Sequence, residues 1–137
     1  IKPTPGDESR TGEAVALAAK KLWQGQATQP LLSSFAPQAL AAAKGAVPEL
    51  PRALLIDKRT DDCFSVAQQL ECCALVGNQA IFDQQMIDSL HNAGMRALAY
   101  TVNDPAKAAA LGRLGIDGLI TDAVDRFAPS GPADQER

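Results

Sequence analysis

Polar and aromatic side chains follow several short apolar runs of this sequence, at the points where those runs end. They are Lys2, Ser34, Phe35, Asp57, Tyr100, Asn103, Asp104, Thr121 and Asp122. In an α/β barrel the carboxyl ends of the strands form one edge, so these side chains would surround a single mouth. A lysine there can hold an anionic group such as a phosphate, although Lys2 could equally be a solvated terminal charge. The pattern therefore predicts a binding site for a small anion.

Groups that could catalyse a reaction are few. The only histidine, His91, falls inside a predicted helix and far along the chain from any strand end, so we expect it at the surface of that helix. Ser33 and Ser34 therefore lack a general base, and no Ser-His-Asp or Cys-His arrangement can be assembled. Asp104 and Asp122 are interpreted as helix caps. We predict that this chain contains a binding rim but neither catalytic residues nor metal ligands.

The composition is that of one globular domain. Of the 137 residues 46% are hydrophobic and 21% are charged, which is enough apolar material for a core. The formal net charge of −3 comes without a cluster of basic residues, which argues against nucleic acid as a partner. No apolar run approaches the ~18 residues that a membrane-spanning helix needs.

The three cysteines are Cys63, Cys72 and Cys73. Their number and spacing suit neither a disulfide framework nor a zinc site, so we expect reduced thiols packed as small apolar residues.

Strand patterns alternate with helix patterns along the chain. The predicted strands are the opening Ile1–Lys2, LLSSF (31–35), RALLI (52–56), RALAYTV (96–102) and DGLIT (117–121), with CCALV (72–76) as a sixth candidate. The predicted helices begin after an N-cap at Thr11, at Pro37, near residue 61, near Phe82 and at Pro105, and glycines end three of them, at Gly45, Gly94 and Gly115. This alternation is typical of βαβ units with a parallel sheet.

The fold class that follows is α/β, as the C-terminal portion of a TIM (β/α)8 barrel with about five strands and their helices. The segment GDESRTG (6–12) lacks the GxGxxG spacing, which disfavours a dinucleotide-binding fold. A complete barrel needs eight strands in about 250 residues, so this chain has slightly more than half of one. Such a half would expose a sheet edge and an apolar face unless another segment or chain covers them.

The order of several segments makes the sequence recognisable. They are IKPTPG, TGEAVALAAKKLW, PLLSSF, PELPRALLID, AGMRALAYTVNDP and GIDGLITDAVD. With this order the chain resembles the glycerophosphodiester phosphodiesterases, and most of all their cytoplasmic bacterial members. The resemblance covers residues 1–127, which we expect to be the C-terminal part of the barrel, and residues 128–137 are a polar tail.

The resemblance implies a hydrolase that converts glycerophosphodiesters to sn-glycerol 3-phosphate and an alcohol. It implies a divalent cation, Mg²⁺ or Ca²⁺, in the complete enzyme, and a cytoplasmic location. In the family, a metal-binding glutamate comes immediately before the position of Ile1, and the catalytic histidines and other metal carboxylates lie further upstream. We therefore expect the isolated chain to be inactive and to need the N-terminal half of the barrel.

The resemblance also implies roles for individual residues. Lys2 matches a lysine close to the substrate phosphate, and Phe35 and Tyr100 match aromatic residues that wall the substrate pocket. Ser34 and Asn103 match motif positions with supporting roles. A further departure lies in CCALVGN, where Val76 stands at a position that is often histidine in relatives, although Asn78 matches; this puts contacts to the leaving group in doubt.

Two other interpretations stay open. The chain could be a non-catalytic half-barrel that acts by self-association or by pairing its open edge with another chain. It could also belong to another class of phosphate-binding TIM-barrel enzyme, although such a site usually has a glycine-rich loop and DGLITDAVD has only one glycine.

Overall fold

Five parallel strands pair in the order in which they occur along the chain, in a computed structural model that describes residues 1–127. They are β1 (Leu32–Ser34), β2 (Arg52–Ile56), β3 (Ala74–Asn78), β4 (Arg96–Tyr100) and β5 (Gly118–Leu119). The helices are α1 (Glu8–Leu22), α2 (Pro37–Ala46), α3 (Cys63–Gln69), α4 (Gln84–Asn92) and α5 (Pro105–Leu114), with short 3-10 helices at Gln79–Ile81 and Val124–Arg126. The predicted α/β architecture is confirmed, while the predicted tail 128–137 lies outside the described residues.

Local capping signals place several element boundaries where the sequence predicts them. Pro37 is the first residue of α2, where its missing N–H costs no hydrogen bond. The Asp104 carboxylate accepts a hydrogen bond from the Ala106 N–H at 2.9 Å, directly ahead of α5. Gly115 ends that helix with a φ of +91°, which a residue with a side chain rarely adopts.

Other boundaries differ from the prediction. The first helix begins at Glu8 rather than after Thr11, because the Thr11 N–H already bonds to the Asp7 carbonyl at 2.9 Å and closes an earlier turn. The sixth strand candidate is a true strand, but it starts at Ala74, because the Cys72 N–H closes the end of α3 on the Ala67 carbonyl. Helix α2 runs past Gly45 to Ala46.

Two further predictions are wrong. The opening residues Ile1 and Lys2 are not a strand, although the Ile1 amino group donates a hydrogen bond to the carbonyl of Ser33 in β1. Asp122 caps no helix, because the 3-10 helix Val124–Arg126 has Ala123 at its N-cap position and no side-chain cap.

The two faces of the sheet contribute to separate apolar clusters. Leu54 and Leu75 project from β2 and β3 into the main core, where they meet side chains of α3 and α4. On the opposite face, small side chains of the same strands form a separate cluster around Ala53 and Val76. Both faces of a parallel sheet are normally covered. In a closed barrel the helices cover the outer face and the other face lines the interior, which is the position that this second face corresponds to.

Gly12 allows α1 and α2 to pack closely. A Cβ atom built on Gly12 would lie 2.0 Å from the Ala39 carbonyl oxygen, well inside van der Waals contact. The helices therefore meet backbone against backbone, and any side chain at residue 12 would force them apart.

Charged residues at the amino end of the sheet are bound into two networks. Arg52, which is only 3% exposed, donates hydrogen bonds to the carbonyls of Leu70, Pro48 and Leu50 at 3.1, 3.0 and 2.7 Å. Its guanidinium also lies 3.8 Å from the Glu71 carboxylate. These bonds fix the start of β2 to the segments that precede β2 and β3.

The second network is centred on Asp117. Its carboxylate accepts hydrogen bonds from the Arg96 guanidinium and the Ala97 N–H, both at 2.8 Å, and lies 2.8 Å from Nε2 of His91. Burial opposes the charge of Asp117, but these hydrogen bonds outweigh it and hold the pKa of the carboxyl below its ordinary value. His91 therefore has the exposed helical position that the sequence predicts, and it bonds to the amino end of the sheet.

Candidate functional site

Four polar and aromatic residues lie at the carboxyl ends of β1 to β4, with Lys2 of the opening segment beside them. We call this edge the mouth. The mouth consists of Lys2, Phe35, Asp57, Asn78 and Tyr100. Lys2, Ser34 and Phe35 line a groove of about 310 Å³ beside the opening segment. The Lys2 side chain is exposed and forms no ion pair with any residue in 1–127, so its charge is available to a ligand.

Ser34 has a different environment from the other predicted site residues. It is fully buried, and its hydroxyl donates a hydrogen bond to the Ile1 carbonyl at 2.8 Å and accepts one from the Ala36 N–H at 3.1 Å. These bonds hold the opening segment against β1 and thereby position the neighbouring Lys2. A contact between Ser34 and substrate stays a prediction.

Two aromatic side chains meet across the mouth. The rings of Phe35 and Tyr100 are perpendicular, with their centroids 6.0 Å apart, which is a favourable edge-to-face geometry. The Tyr100 hydroxyl donates a hydrogen bond to the Ile56 carbonyl at 3.0 Å, so the ring is held across β3. Phe35 remains 57% exposed, which leaves much of its surface available for contact.

Asp57 and Asn78 form a polar pair beside Tyr100. The Asn78 amide donates a hydrogen bond to the Asp57 carboxylate at 3.0 Å, and its oxygen accepts one from the Ala80 N–H at 3.0 Å. Burial, and then the neighbouring Asp57 carboxylate, raise the pKa of the Tyr100 phenol above its ordinary value. The sequence places Asp57 at a strand end, but the partnership with Asn78 follows only from the register of β2 and β3.

Asn103 is engaged by the loop that follows β5. Its side-chain oxygen accepts hydrogen bonds from the Thr121 hydroxyl at 3.0 Å and the Asp122 N–H at 2.9 Å. Its backbone carbonyl accepts a further hydrogen bond from Arg126 at 3.4 Å. The structure therefore brings Lys2, Phe35 and Tyr100 to the mouth and gives Asn103 a loop-stabilising position at the same end of the sheet.

Val76 lies on the interior face of the sheet. It is 2% exposed and packs in the small apolar cluster with Ala53 and Ala74. The position that is often histidine in relatives therefore presents an apolar side chain below the mouth in this chain.

The side chains that the structure describes do not fit a metal ion. Within residues 1–127, no three side chains of His, Cys, Asp or Glu lie close enough together to hold one. The carboxylate of the mouth, Asp57, is paired with the Asn78 amide rather than with a second carboxylate. The same part of the chain contains no helix that is long and apolar enough to cross a membrane.

The sequence profile of the Glycerophosphoryl diester phosphodiesterase family matches residues 1–126. The chain belongs to this family. A comparison with curated proteins finds no match.

Solved structures of phosphodiesterases have the same fold as this member of the family. One is a phosphodiesterase from Oleispira antarctica in complex with the product sn-glycerol 3-phosphate, with a TM-score of 0.78 and 28% identity over 90% of this chain. A second is a glycerophosphodiester phosphodiesterase from Thermotoga maritima, with a TM-score of 0.64 and 21% identity over 84% of this chain. A third is a glycerophosphodiester phosphodiesterase from Parabacteroides distasonis, with a TM-score of 0.72 and 16% identity over 91% of this chain. This chain spans 50%, 52% and 52% of those three structures, respectively, and so about half their length.

Proposed function

We propose that this chain supplies the product-binding side of a glycerophosphodiester phosphodiesterase. The reaction adds water across a P–O bond, so that the substrate yields sn-glycerol 3-phosphate and an alcohol that leaves with a proton. The observation that carries the proposal is the free Lys2 ammonium beside the exposed Phe35 ring, in a chain that matches the family over residues 1–126. The similar Oleispira antarctica enzyme binds sn-glycerol 3-phosphate, which supports that ligand here.

Three residues of the mouth, and two residues that support it, have roles in this proposal. The Lys2 ammonium shares the negative charge of the phosphate, which grows as the water attacks. Phe35 and Tyr100 pack against the carbon atoms of the glycerol and exclude water from them. Ser34 keeps Lys2 in place through its hydrogen bond to the Ile1 carbonyl. Asn103 supports the mouth from the loop after β5.

Groups outside residues 1–127 complete the reaction in this proposal. A divalent cation, Mg²⁺ or Ca²⁺, would be held by those groups, since the described side chains form no metal site. General acid–base groups must come from the same source, because His91 bonds to Asp117 at the opposite end of the sheet. A cytoplasmic location is also part of the proposal and rests on the resemblance alone; fractionation of the producing cells tests it.

The test compares the 137-residue chain with a hybrid in which it replaces the similar half of the Oleispira antarctica phosphodiesterase. We expect no hydrolysis of glycerophosphocholine by the chain alone with Mg²⁺ or Ca²⁺, and hydrolysis by the hybrid that falls at least about tenfold with Lys2→Met. Activity of the chain alone would contradict the need for a second half. A folded hybrid that fails to bind sn-glycerol 3-phosphate would contradict the function itself.

Self-association is a second candidate function, because large apolar side chains are exposed at both ends of the strand order. They are Leu17, Leu22, Trp23 and Leu31 near β1, and Leu119, Ile120 and Val124 at and after β5. Either the remaining strands of a barrel or a second copy of the chain could cover them. A measured mass of two chains in solution, together with one cooperative melting transition, would favour the second copy; a monomer would favour the barrel.

A further inference from the structure

A side-chain amide holds the end of β4 at the point where its pairing with β3 stops. The last pair in the register of these strands is Asn78 with Tyr100, and the next residues are Gln79 and Thr101. Gln79 starts a 3-10 helix, so its backbone leaves the sheet. Its side chain stays, because Nε2 donates a hydrogen bond to the Thr101 carbonyl at 2.8 Å. Gln79 therefore supplies a donor where the ladder of backbone hydrogen bonds ends.

The backbone of Gln79 is itself held in place. Asn78 caps the 3-10 helix, since its side-chain oxygen accepts a hydrogen bond from the Ala80 N–H at 3.0 Å. Gly77 has no side chain, and a Cβ atom built there would lie only 2.6 Å from Cδ1 of Ile81. The 3-10 helix therefore folds closely back over the end of β3. A fixed backbone limits the positions that the Gln79 side chain can reach, so its amide is preorganised for its acceptor.

The acceptor adjoins a residue of the proposed function. Thr101 directly follows Tyr100, which packs against the glycerol in that proposal. On the other side of the same segment, the Val102 N–H donates a hydrogen bond to the Ile120 carbonyl after β5, at 2.9 Å. Gln79 and Ile120 therefore hold the end of β4 from opposite sides.

The position of the Tyr100 ring depends on both of its ends. At the far end, the Tyr100 hydroxyl donates a hydrogen bond to the Ile56 carbonyl at 3.0 Å. At the near end, the ring is attached to the backbone segment that the Gln79 amide holds. The Phe35 ring meets it edge to face, with the centroids 6.0 Å apart. A shift at the end of β4 would change this ring contact, whereas separate hydrogen bonds of the opening segment hold Lys2.

We propose that Gln79 is a positioning residue, whose amide sets the end of β4 and thereby the Tyr100 ring for contact with the glycerol of sn-glycerol 3-phosphate. This inference rests on the proposed function, in which Lys2 holds the phosphate and Tyr100 contacts the glycerol. It separates two parts of the ligand, because Gln79 acts through Tyr100 and not through Lys2. Inorganic phosphate, which lacks the glycerol, should therefore bind independently of Gln79.

The first test is NMR spectroscopy of the 137-residue chain without ligand. We expect magnetisation transfer from the Gln79 side-chain amide protons to protons of Thr101 and Val102. We also expect transfer between the ring protons of Phe35 and Tyr100. Absence of either contact from the spectra of the unmodified chain would overturn the proposal, whatever any variant does.

A variant then tests the amide. Gln79→Met keeps the length of the side chain and removes the donor. We expect it to weaken the contact between the Phe35 and Tyr100 rings and to lower the affinity for sn-glycerol 3-phosphate about fivefold, which corresponds to the loss of one hydrogen bond. The affinity for inorganic phosphate should not change. An unchanged ring contact would overturn the proposal, as would a loss of affinity by the same factor for both ligands.

Gln84→Met is the matched control. Gln84 also donates its side-chain amide to a backbone carbonyl, that of Leu114 at 3.3 Å, but it does so from α4. This variant should leave the ring contact and both affinities as they are in the unmodified chain. Equal effects of Gln79→Met and Gln84→Met would show a general loss of order and would overturn the assignment of Gln79.

Gln79→Glu provides a second route if Gln79→Met does not fold. It keeps the shape of the side chain, but at pH 7 its carboxylate cannot donate to the Thr101 carbonyl, so the same changes are expected. The ring contact needs no ligand and is therefore independent of the proposed function. A ring contact that depends on Gln79 in a chain that binds no sn-glycerol 3-phosphate would contradict only the proposed function. Binding of sn-glycerol 3-phosphate with a ring contact that does not depend on Gln79 would contradict only this inference.

Discussion

At the amino end of the sheet, Arg52 donates to three carbonyls and Asp117 is bound by Arg96, His91 and a backbone N–H. At the carboxyl end, Lys2 has no ion pair within residues 1–127, and the Asp57 charge faces only an amide and a phenol. Both ends contain basic and acidic side chains, so the ends differ in whether those side chains have oppositely charged or hydrogen-bonding partners. Saturated charges stabilise the fold, whereas charges without an opposite partner are free to bind a ligand.

Replacing Arg52 tests the amino end most severely. Arg52→Met keeps an apolar stem of similar length but leaves buried carbonyls without donors, so the free energy of unfolding should fall by about 3–5 kcal/mol. Urea denaturation followed by circular dichroism measures this free energy of unfolding. Arg113→Met, at an exposed position of α5, is the matched control and should change stability by less than about 0.5 kcal/mol. Similar losses in the two variants would show that the Arg52 network does not stabilise the sheet.

Asp117 gives the amino end a dependence on pH. Because its pKa is lowered in the folded chain, its contribution is complete above the unfolded value of about 3.9 and is lost as the pH falls below that value. Asp117→Asn should destabilise the chain by about 1–2 kcal/mol at pH 7. Denaturation curves of both proteins between pH 7 and pH 2 should converge at the acid end. A difference that stays constant over this range would exclude the charge of Asp117 as its cause.

Replacing Lys2 should separate binding from stability. Lys2→Met removes an exposed ammonium, so we expect no change in the unfolding free energy beyond about 0.5 kcal/mol. The affinity for sn-glycerol 3-phosphate, measured by NMR titration, should fall about tenfold because a charge-assisted contact is lost. Lys107→Met on α5 serves as the charge-matched control and should bind as the unmodified chain does. A large loss of stability in Lys2→Met would remove the contrast between the two ends.

The cysteines offer the mildest test. Burial raises the pKa of the Cys72 thiol to about 11, while Cys73, one residue further along, is exposed and only donates to the Arg52 carbonyl at 3.4 Å. A thiol reagent at pH 8 should therefore modify Cys73 in the folded chain, and Cys63 and Cys72 only after unfolding. Mass spectrometry of the digested protein locates the label. Rapid labelling of Cys72 would show that the amino end opens readily.

Local signals explain which parts of the fold the sequence predicts well. Asp104 followed by Pro105 predicts a helix start, and the structure has it there, because a cap depends only on neighbouring residues. The start of α1 was harder, since both Asp7 and Thr11 can precede a helix and only the bond to the Asp7 carbonyl decides between them. Cys73 was expected to be packed as an apolar residue and is exposed, because it lies ahead of the first paired residue of β3.

The candidate site could be predicted only in part. A parallel sheet brings strand ends together, which is sufficient to place Phe35 and Tyr100 at one edge. Lys2 is not on a strand, and hydrogen bonds between Ile1 and the residues Ser33 and Ser34 place it there. The bond between Asn78 and Asp57 joins residues from different strands and depends on their register, which no short motif specifies. The buried hydroxyl of Ser34 likewise depends on how the opening segment packs, so its hydrogen bonds were beyond prediction.

The order of the strands has a consequence for how the chain folds. Each strand pairs only with its neighbours along the sequence, so no strand must wait for a distant segment before it can form its ladder. Paired strands begin 20 to 22 residues apart, so each new ladder closes a single strand–helix loop, whose entropic cost grows only slowly with its length. The sheet can therefore lengthen by one strand and one helix at a time as the chain leaves the ribosome, with each new unit adding to a surface that is already formed.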